Sequence, residues 1–247
     1  MRLFTFLCLI GVGLLTPINK GAADSNDHSR SDNLSALSAE WWQWALSIPT
    51  SFNPLLDTTG NNCMVGQHGP VWFLAGFFFG GAGTRDCTVS DDKFIFFPVA
   101  NSINFNTPGV CDQTGELSVR DLRQASKTFF AGVTAASAEL DQRPINLLRH
   151  IRSDVFAVAL PEENIFDSAC TAFGGLPAGV YSPSVDEGLY VLLHPLDEGQ
   201  HTLRFHSENP TQGFTEDVTY ILKVKHVAVR QHPDKDQNDD RHDDYGR

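Results

Sequence analysis

No apolar stretch of this chain is long enough to cross a bilayer as a helix. The longest runs, Leu3 to Leu15 and Val71 to Phe79, fall short of the roughly 20 residues a span needs. Basic residues are also scarce: Lys and Arg number 18 against 30 Asp and Glu, giving a formal net charge of −12. No basic patch is available to neutralise phosphates, so neither nucleic acid nor an anionic membrane surface is an expected partner. The chain has no C-x-x-C pair of the kind structural zinc sites use. It also lacks G-x-S-x-G, H-E-x-x-H, a P-loop and a dinucleotide fingerprint. The absence of those motifs leaves no catalytic or cofactor-binding residue to assign from spacing.

What is present begins with an export signal. Met1-Arg2, the apolar segment Leu3 to Leu15 and the small residues Gly21-Ala22-Ala23 read as a signal peptide over 1–23, cleaved after Ala23. That places the mature protein outside the cell, or in the periplasm of a bacterium. Residues 24–36 are polar and unpatterned and read as a flexible leader. Within them, Asn33-Leu34-Ser35 is a glycosylation sequon, meaningful in a eukaryotic source. Cys8 leaves with the signal, so Cys63, Cys87, Cys111 and Cys170 remain. An even set in an exported chain implies disulfides, with three connectivities open in principle. Cys63 with Cys87 and Cys111 with Cys170 is the expected pairing. The first pair brackets two strands joined by the Gly80 to Gly83 turn, and the second ties two long loops.

The mature chain is organised around Cys63 to Ala100. In Val71 to Phe79 both alternating faces are apolar, which predicts a strand covered on both sides. Thr84 to Val89 and Lys93 to Ala100 read as the next strands, with Pro98 marking a bulge or an edge. Asn101 to Asp112 reads as a loop. Ser38 is expected to cap a short helix, Ala39 to Ser47, whose Trp41, Trp42 and Trp44 would form a lid on the central strand. Ser118 and Asp121 open a second helix as a capping box, with an inward stripe from Val119 and Leu122 to Phe129, Phe130 and Val133. Ala135 to Leu140 and Asn146 to Arg152 suggest a hairpin, followed by a strand at Val155 to Leu160. A meander of Leu189 to His194, Gln200 to His206 and Thr215 to Val224 closes the core. In its last strand Val218, Tyr220, Leu222 and Val224 alternate inward. The fold class is therefore mainly β: an antiparallel β-sandwich, jelly-roll or Greek-key in type, with two short helices and disulfide staples over residues 37–228. Residues 229–247 are almost devoid of apolar side chains and read as a disordered acidic, His-containing tail.

The segments W-W-Q-W-A-L-S-I-P, C-M-V-G-Q-H-G-P-V-W-F-L-A-G, G-Q-H-T-L-R-F-H and D-V-T-Y-I-L-K-V resemble a set of secreted, mostly bacterial proteins of unknown function. The resemblance covers about Leu37 to Val224. It implies one secreted module and supplies no activity, substrate or site residue. The tail departs from it.

Candidate chemistry is spread thinly. Asp57, Glu162, Glu163, Asp186, Glu187 and Glu208 are the carboxylates from which a glycoside-hydrolysing pair would be drawn. The tryptophans could stack on sugars, although a stripe at helical spacing is more often core. His194 and His201 flank a short connection and, with His206, form a weak candidate metal site. Strict alternation sends His201 and His206 to opposite faces. In the tail His232, Asp234, Asp236, Asp239, Asp240, His242, Asp243 and Asp244 mix hard carboxylate with imidazole ligands, suited to calcium, zinc or a mineral surface. The leading expectation is a secreted, non-catalytic extracellular module, structural or binding to matrix, polysaccharide or mineral. The alternative is a secreted glycan-acting hydrolase.

Overall fold

The computed structural model describes residues 25–168 and 170–226. The signal segment 1–23 and the tail 229–247, with its candidate ligands, lie outside the described residues.

Among the described residues, two helices and ten strands form three layers. The outer layer is helix α1 (Ser25–Ser47). The first sheet runs β1 (Val71–Phe73), β3 (Phe94–Phe105), β8 (Gly179–Leu193) and β6 (Arg149–Arg152), with β7 (Phe156–Leu160) also paired to β8. The second sheet runs β2 (Gly81–Ser90), β10 (Phe214–Lys225), β9 (Gly199–Asn209), β4 (Ala135–Leu140) and β5 (Arg143–Pro144). Helix α2 (Val119–Ala131) starts from a capping box between Ser118 and Asp121. It packs on β3 and β8.

The first sheet is apolar on both faces because it is the middle layer. Trp72, Ile95, Phe97 and Val191 meet Val89, Leu203, Phe205, Val218 and Leu222 of the second sheet. Phe97 and Phe205 approach to 5.1 Å between ring centres. On the other face Phe73, Phe96, Val158, Leu160 and Tyr190 meet Trp41, Trp44 and Ala45 of α1. The two disulfides join Cys63 to Cys87 and Cys111 to Cys170.

Several elements differ from the sequence reading. Helix α1 covers Ser25–Ser47 of the described residues, so residues 25–36 are helical rather than a loose leader, and Asn33 falls within the helix. Leu34 and Leu37 extend the Trp41 stripe upstream onto the core, which gives those turns a surface to pack on. Ser38 is consequently internal; its hydroxyl donates back to the Ser35 carbonyl at 3.0 Å, as serines inside helices do. Most pairings are antiparallel, but β1 with β3 and β2 with β10 are parallel. A parallel neighbour requires a crossover, and β2, lying in the opposite sheet, is the crossover that returns β3 beside β1. Strand β3 continues to Phe105 through the segment read as loop, with its register shifted between Pro98 and Ala100. Residues 146–152 do not return to β4: Arg149–Arg152 crosses to pair with β8. The expected meander is likewise split, β8 in one sheet and the β9–β10 hairpin in the other. Burial at α2 is narrower than expected: Leu122 and Ser126 are buried, while Val119 is exposed.

The largest departure is at Val71 to Phe79. The strand ends at Phe73, and side chains then do what a neighbouring strand would. Trp41 Nε1 donates to the Leu74 carbonyl at 3.0 Å, and Arg85 donates to the carbonyls of Ala75 at 2.6 Å and Gly76 at 3.2 Å. The Tyr220 hydroxyl adds a second bond to Ala75 at 2.8 Å, and the Phe77 amide donates to the Glu216 carboxylate. Buried peptide groups must be satisfied, and here four distant side chains satisfy them.

Candidate functional site

That side-chain-held segment forms one wall of a cavity of about 540 Å³. Beyond Phe73, β3 has lost its β1 neighbour, and the stretch Pro98 to Asn104 faces open space. Opposite it stand Ser207 and Asn209 of β9 and Phe214 and Glu216 of β10, and α2 contributes Ala125, Thr128 and Phe129. Leu55, Phe77, Phe78, Phe166 and the edges of Trp41 and Trp42 complete an aromatic lining. The volume lies in the range that takes a drug-sized organic molecule.

The lining also carries polar side chains, Asn101, Asn104, Thr128, Asn209 and Gln212 among them. The Oγ atoms of Ser102 and Ser207 are buried without a hydrogen-bond partner. Glu216 is 5% exposed, and its Oε1 accepts the Phe77 amide. Burial pushes its carboxyl up to about 7, against the lowering effects of that hydrogen bond and of the Arg85 charge. Arg85 is itself buried, with its guanidinium 4.1 Å above the Phe77 ring centre. Gly76 is required here, because a Cβ would overlap the Glu216 carboxyl.

A second buried carboxyl lies behind Trp42 and Asn101. Asp186 Oδ1 accepts from Trp42 Nε1 and from the Tyr190 hydroxyl, each at 2.8 Å, and Asn101 donates to that hydroxyl at 3.1 Å. Burial pushes Asp186 up to about 7, against the opposing hydrogen bonds from Trp42 and Tyr190. Its Oδ2 is buried without a partner.

The residues singled out from the sequence do not converge on this cavity. Asp57 accepts from the amides of Thr59 and Asn62 in its own turn, at 2.8 Å each. Glu162 and Glu163 are exposed. Glu187 is engaged by His150 at 2.8 Å and Arg152 at 3.2 Å. Glu208 borders the cavity, but alternation along β9 turns its carboxylate outward to His206, at 3.3 Å. The indole N–H groups of Trp41, Trp42 and Trp44 are all bonded inside the protein and all three residues are buried, so they form core rather than a sugar platform. His194 is exposed against Phe94, whereas His201 is held by Asp141 at 2.7 Å and the Asp197 carbonyl at 2.9 Å. Both ring nitrogens of His201 are thus already engaged. Among the described residues no group of three or more His, Cys, Asp or Glu is placed to hold a metal ion.

No family model, curated protein or solved structure matches this chain.

The groups that matter in the cavity were missed by the sequence reading, although the signal was available. Glu216 is one step upstream of the inward series Val218, Tyr220, Leu222, Val224, and Ser207 continues the inward series Leu203, Phe205. Arg85 shares the inward face of β2 with Cys87 and Val89. Chemically, the site offers an aromatic-walled space bordered by amide side chains, with the inward Glu216 carboxyl and two buried, unpartnered hydroxyls.

Proposed function

We propose that this chain is a secreted, non-catalytic extracellular module that binds a small, mainly apolar molecule in the cavity between its sheets. The observation that carries this reading is the pair of unpartnered buried hydroxyls, Ser102 Oγ and Ser207 Oγ, in an aromatic wall. Buried polar atoms are ordinarily satisfied, and a ligand bearing hydrogen-bonding groups would satisfy these. Export is supported by the signal-like start and by the two disulfides. Glycoside hydrolysis would require two inward carboxylates about 5–9.5 Å apart, and Glu216 is the one turned into this cavity.

The test is titration with an uncharged solvatochromic naphthylamine dye. Saturable, blue-shifted emission at one dye per chain is expected, and Ala125→Trp, at a tolerant exposed position on α2, should abolish it by filling the mouth. Absence of saturable emission, or binding untouched by Ala125→Trp, overturns the assignment. Sugar release from a glycan panel that disappears in Glu216→Gln would favour the hydrolase instead.

The tail is proposed to add weak, multivalent attachment to calcium, zinc or a mineral phase. Deleting residues 231–247 should reduce adsorption of the protein to carbonate or silica and its uptake of calcium and zinc. Equal adsorption and uptake by the two forms at pH 5 and pH 8 would reduce the tail to a solubility device.

A further inference from the structure

Resting on the cavity-binding reading, we infer that the ligand is a small amphipathic amine, held as an ammonium by Glu216 and Ser207 with its apolar body against the phenyl rings. Register carries this first. Glu216 and Ser207 are direct cross-strand partners between β10 and β9, both facing inward. Such pairs place their Cβ atoms about 5 Å apart, so the carboxyl and the hydroxyl form one polar corner of the cavity. Ser207 is 1% exposed and its Oγ has no partner. Glu216 is held through Oε1 alone, by the Phe77 amide. The second carboxylate oxygen is therefore free to accept from a ligand.

Charge then selects among ligand classes. Among the described residues the cavity lining contains no Lys, Arg or His. A ligand carboxylate or phosphate would bury its charge beside Glu216 with nothing in the wall to pair it, which is strongly unfavourable. Arg85 is not part of the lining: its guanidinium lies over the Phe77 ring, its two terminal nitrogens are committed to Ala75, Gly76 and Tyr220, and only its buried Nε is without a partner. An ammonium, in contrast, brings three donors and no acceptor. Two can meet Glu216 and Ser207, and phenyl faces attract the charge that remains. A neutral alcohol would use the same corner but gain neither the ion pair nor the ring attraction.

A structural role for Glu216 alone, clamping the Phe77 amide, predicts no such selectivity. The charged groups around it are Arg85 of β2, Asp217 beside it on β10 and the outward Glu208 of β9. Because burial holds the carboxyl near 7, pairing it with a bound ammonium favours the ionised form and expels a proton at pH 6–7.

The experiment is calorimetric titration of the disulfide-intact full chain with three isosteres: an arylalkylamine, the matching alcohol and the matching carboxylate. The amine is expected to bind about tenfold or more tightly than the alcohol, with the carboxylate weakest. Titration in two buffers of different ionisation enthalpy at pH 6.5 should report proton release with the amine only. Glu216→Gln retains an acceptor for the Phe77 amide; it should erase the amine preference, bringing amine and alcohol to similar affinity. Ser207→Ala should weaken the amine several-fold. Equal binding of amine and alcohol, preference for the carboxylate, or amine binding indifferent to Glu216→Gln overturns the amine assignment while leaving a cavity that binds. Failure of all three isosteres together with the neutral dye would instead remove the cavity-binding reading itself.

Discussion

Glu216 and Asp186 are carboxyls whose folded-state values, about 7 each, stand above their ordinary values of 4.5 and 3.8. Between roughly pH 4 and pH 7 the native chain therefore retains protons that the unfolded chain has lost, and stability falls as pH rises through that window. Each group could contribute on the order of 3 kcal/mol, present in full below about pH 4 and gone above about pH 7. Other groups titrate around this window. Burial opposes ionisation at Asp57 and Asp141, but hydrogen bonds from the Asn62 and Thr202 amides outweigh it and lower both carboxyls. Their contribution is lost only at more acid pH. For His201, burial lowers the value and the Asp141 hydrogen bond raises it further, so the net shift is upward and acts in the same direction as Glu216. The expected result is a higher denaturation midpoint at pH 5 than at pH 8, with the difference reduced in Glu216→Gln and in Asp186→Asn. A pH profile identical in wild type and both variants would rule these carboxyls out as its source. Neither burial was read from the sequence. Alternation alone puts Glu216 inward, yet a glutamate beside Asp217 looks like the solvated end of a strand until Ser207 and Phe77 are seen around it.

Among the elements, α1 covers one face of the first sheet with its tryptophans. Trp44 packs on Phe73 at 5.5 Å between ring centres, and its indole donates to the Val65 carbonyl at 2.9 Å. Trp44→Ala should cost about 3–5 kcal/mol, as large-to-small core changes do, measurable as a lower urea midpoint with an unchanged slope. A midpoint within error of wild type would mean that the helix is not part of the cooperative core. The lid, the two-faced apolar strand, the disulfide pairing and the α2 capping box were all legible, because each is written in neighbouring residues. The end of the strand at Phe73 was not. What stops it is Trp41, Arg85, Glu216 and Tyr220 capturing the backbone of Leu74 to Phe77, and nothing within that segment records partners so far away. The same holds for the start of α1, where Leu34 and Leu37 matter only once the first sheet is there to receive them. The cavity follows from the strand's early end, so it was invisible for the same reason.

At the scale of the whole molecule, the three layers were expected from an apolar run with two buried faces, but the crossing order of the strands was not. Periodicity tells which face of a strand is buried and is silent on which strand lies beside it. The parallel pairing of β2 with β10 has a consequence for how the protein comes into being. In its sheet β2 has β10 as its strand neighbour, and the register joins Gly81 to Glu216 and Ser90 to Lys225. A growing chain therefore makes β2 early and must carry it without that partner until the final strand emerges. Until then the inward side chains Arg85, Cys87 and Val89 have no β10 beside them, and an unpaired strand edge invites wrong pairing. Long-range parallel pairing of this kind is also slow to form. The second sheet therefore cannot complete itself piecemeal during synthesis: a chain halted anywhere before Phe214 leaves β2 with no strand to join, and the sheet closes only when β10 arrives.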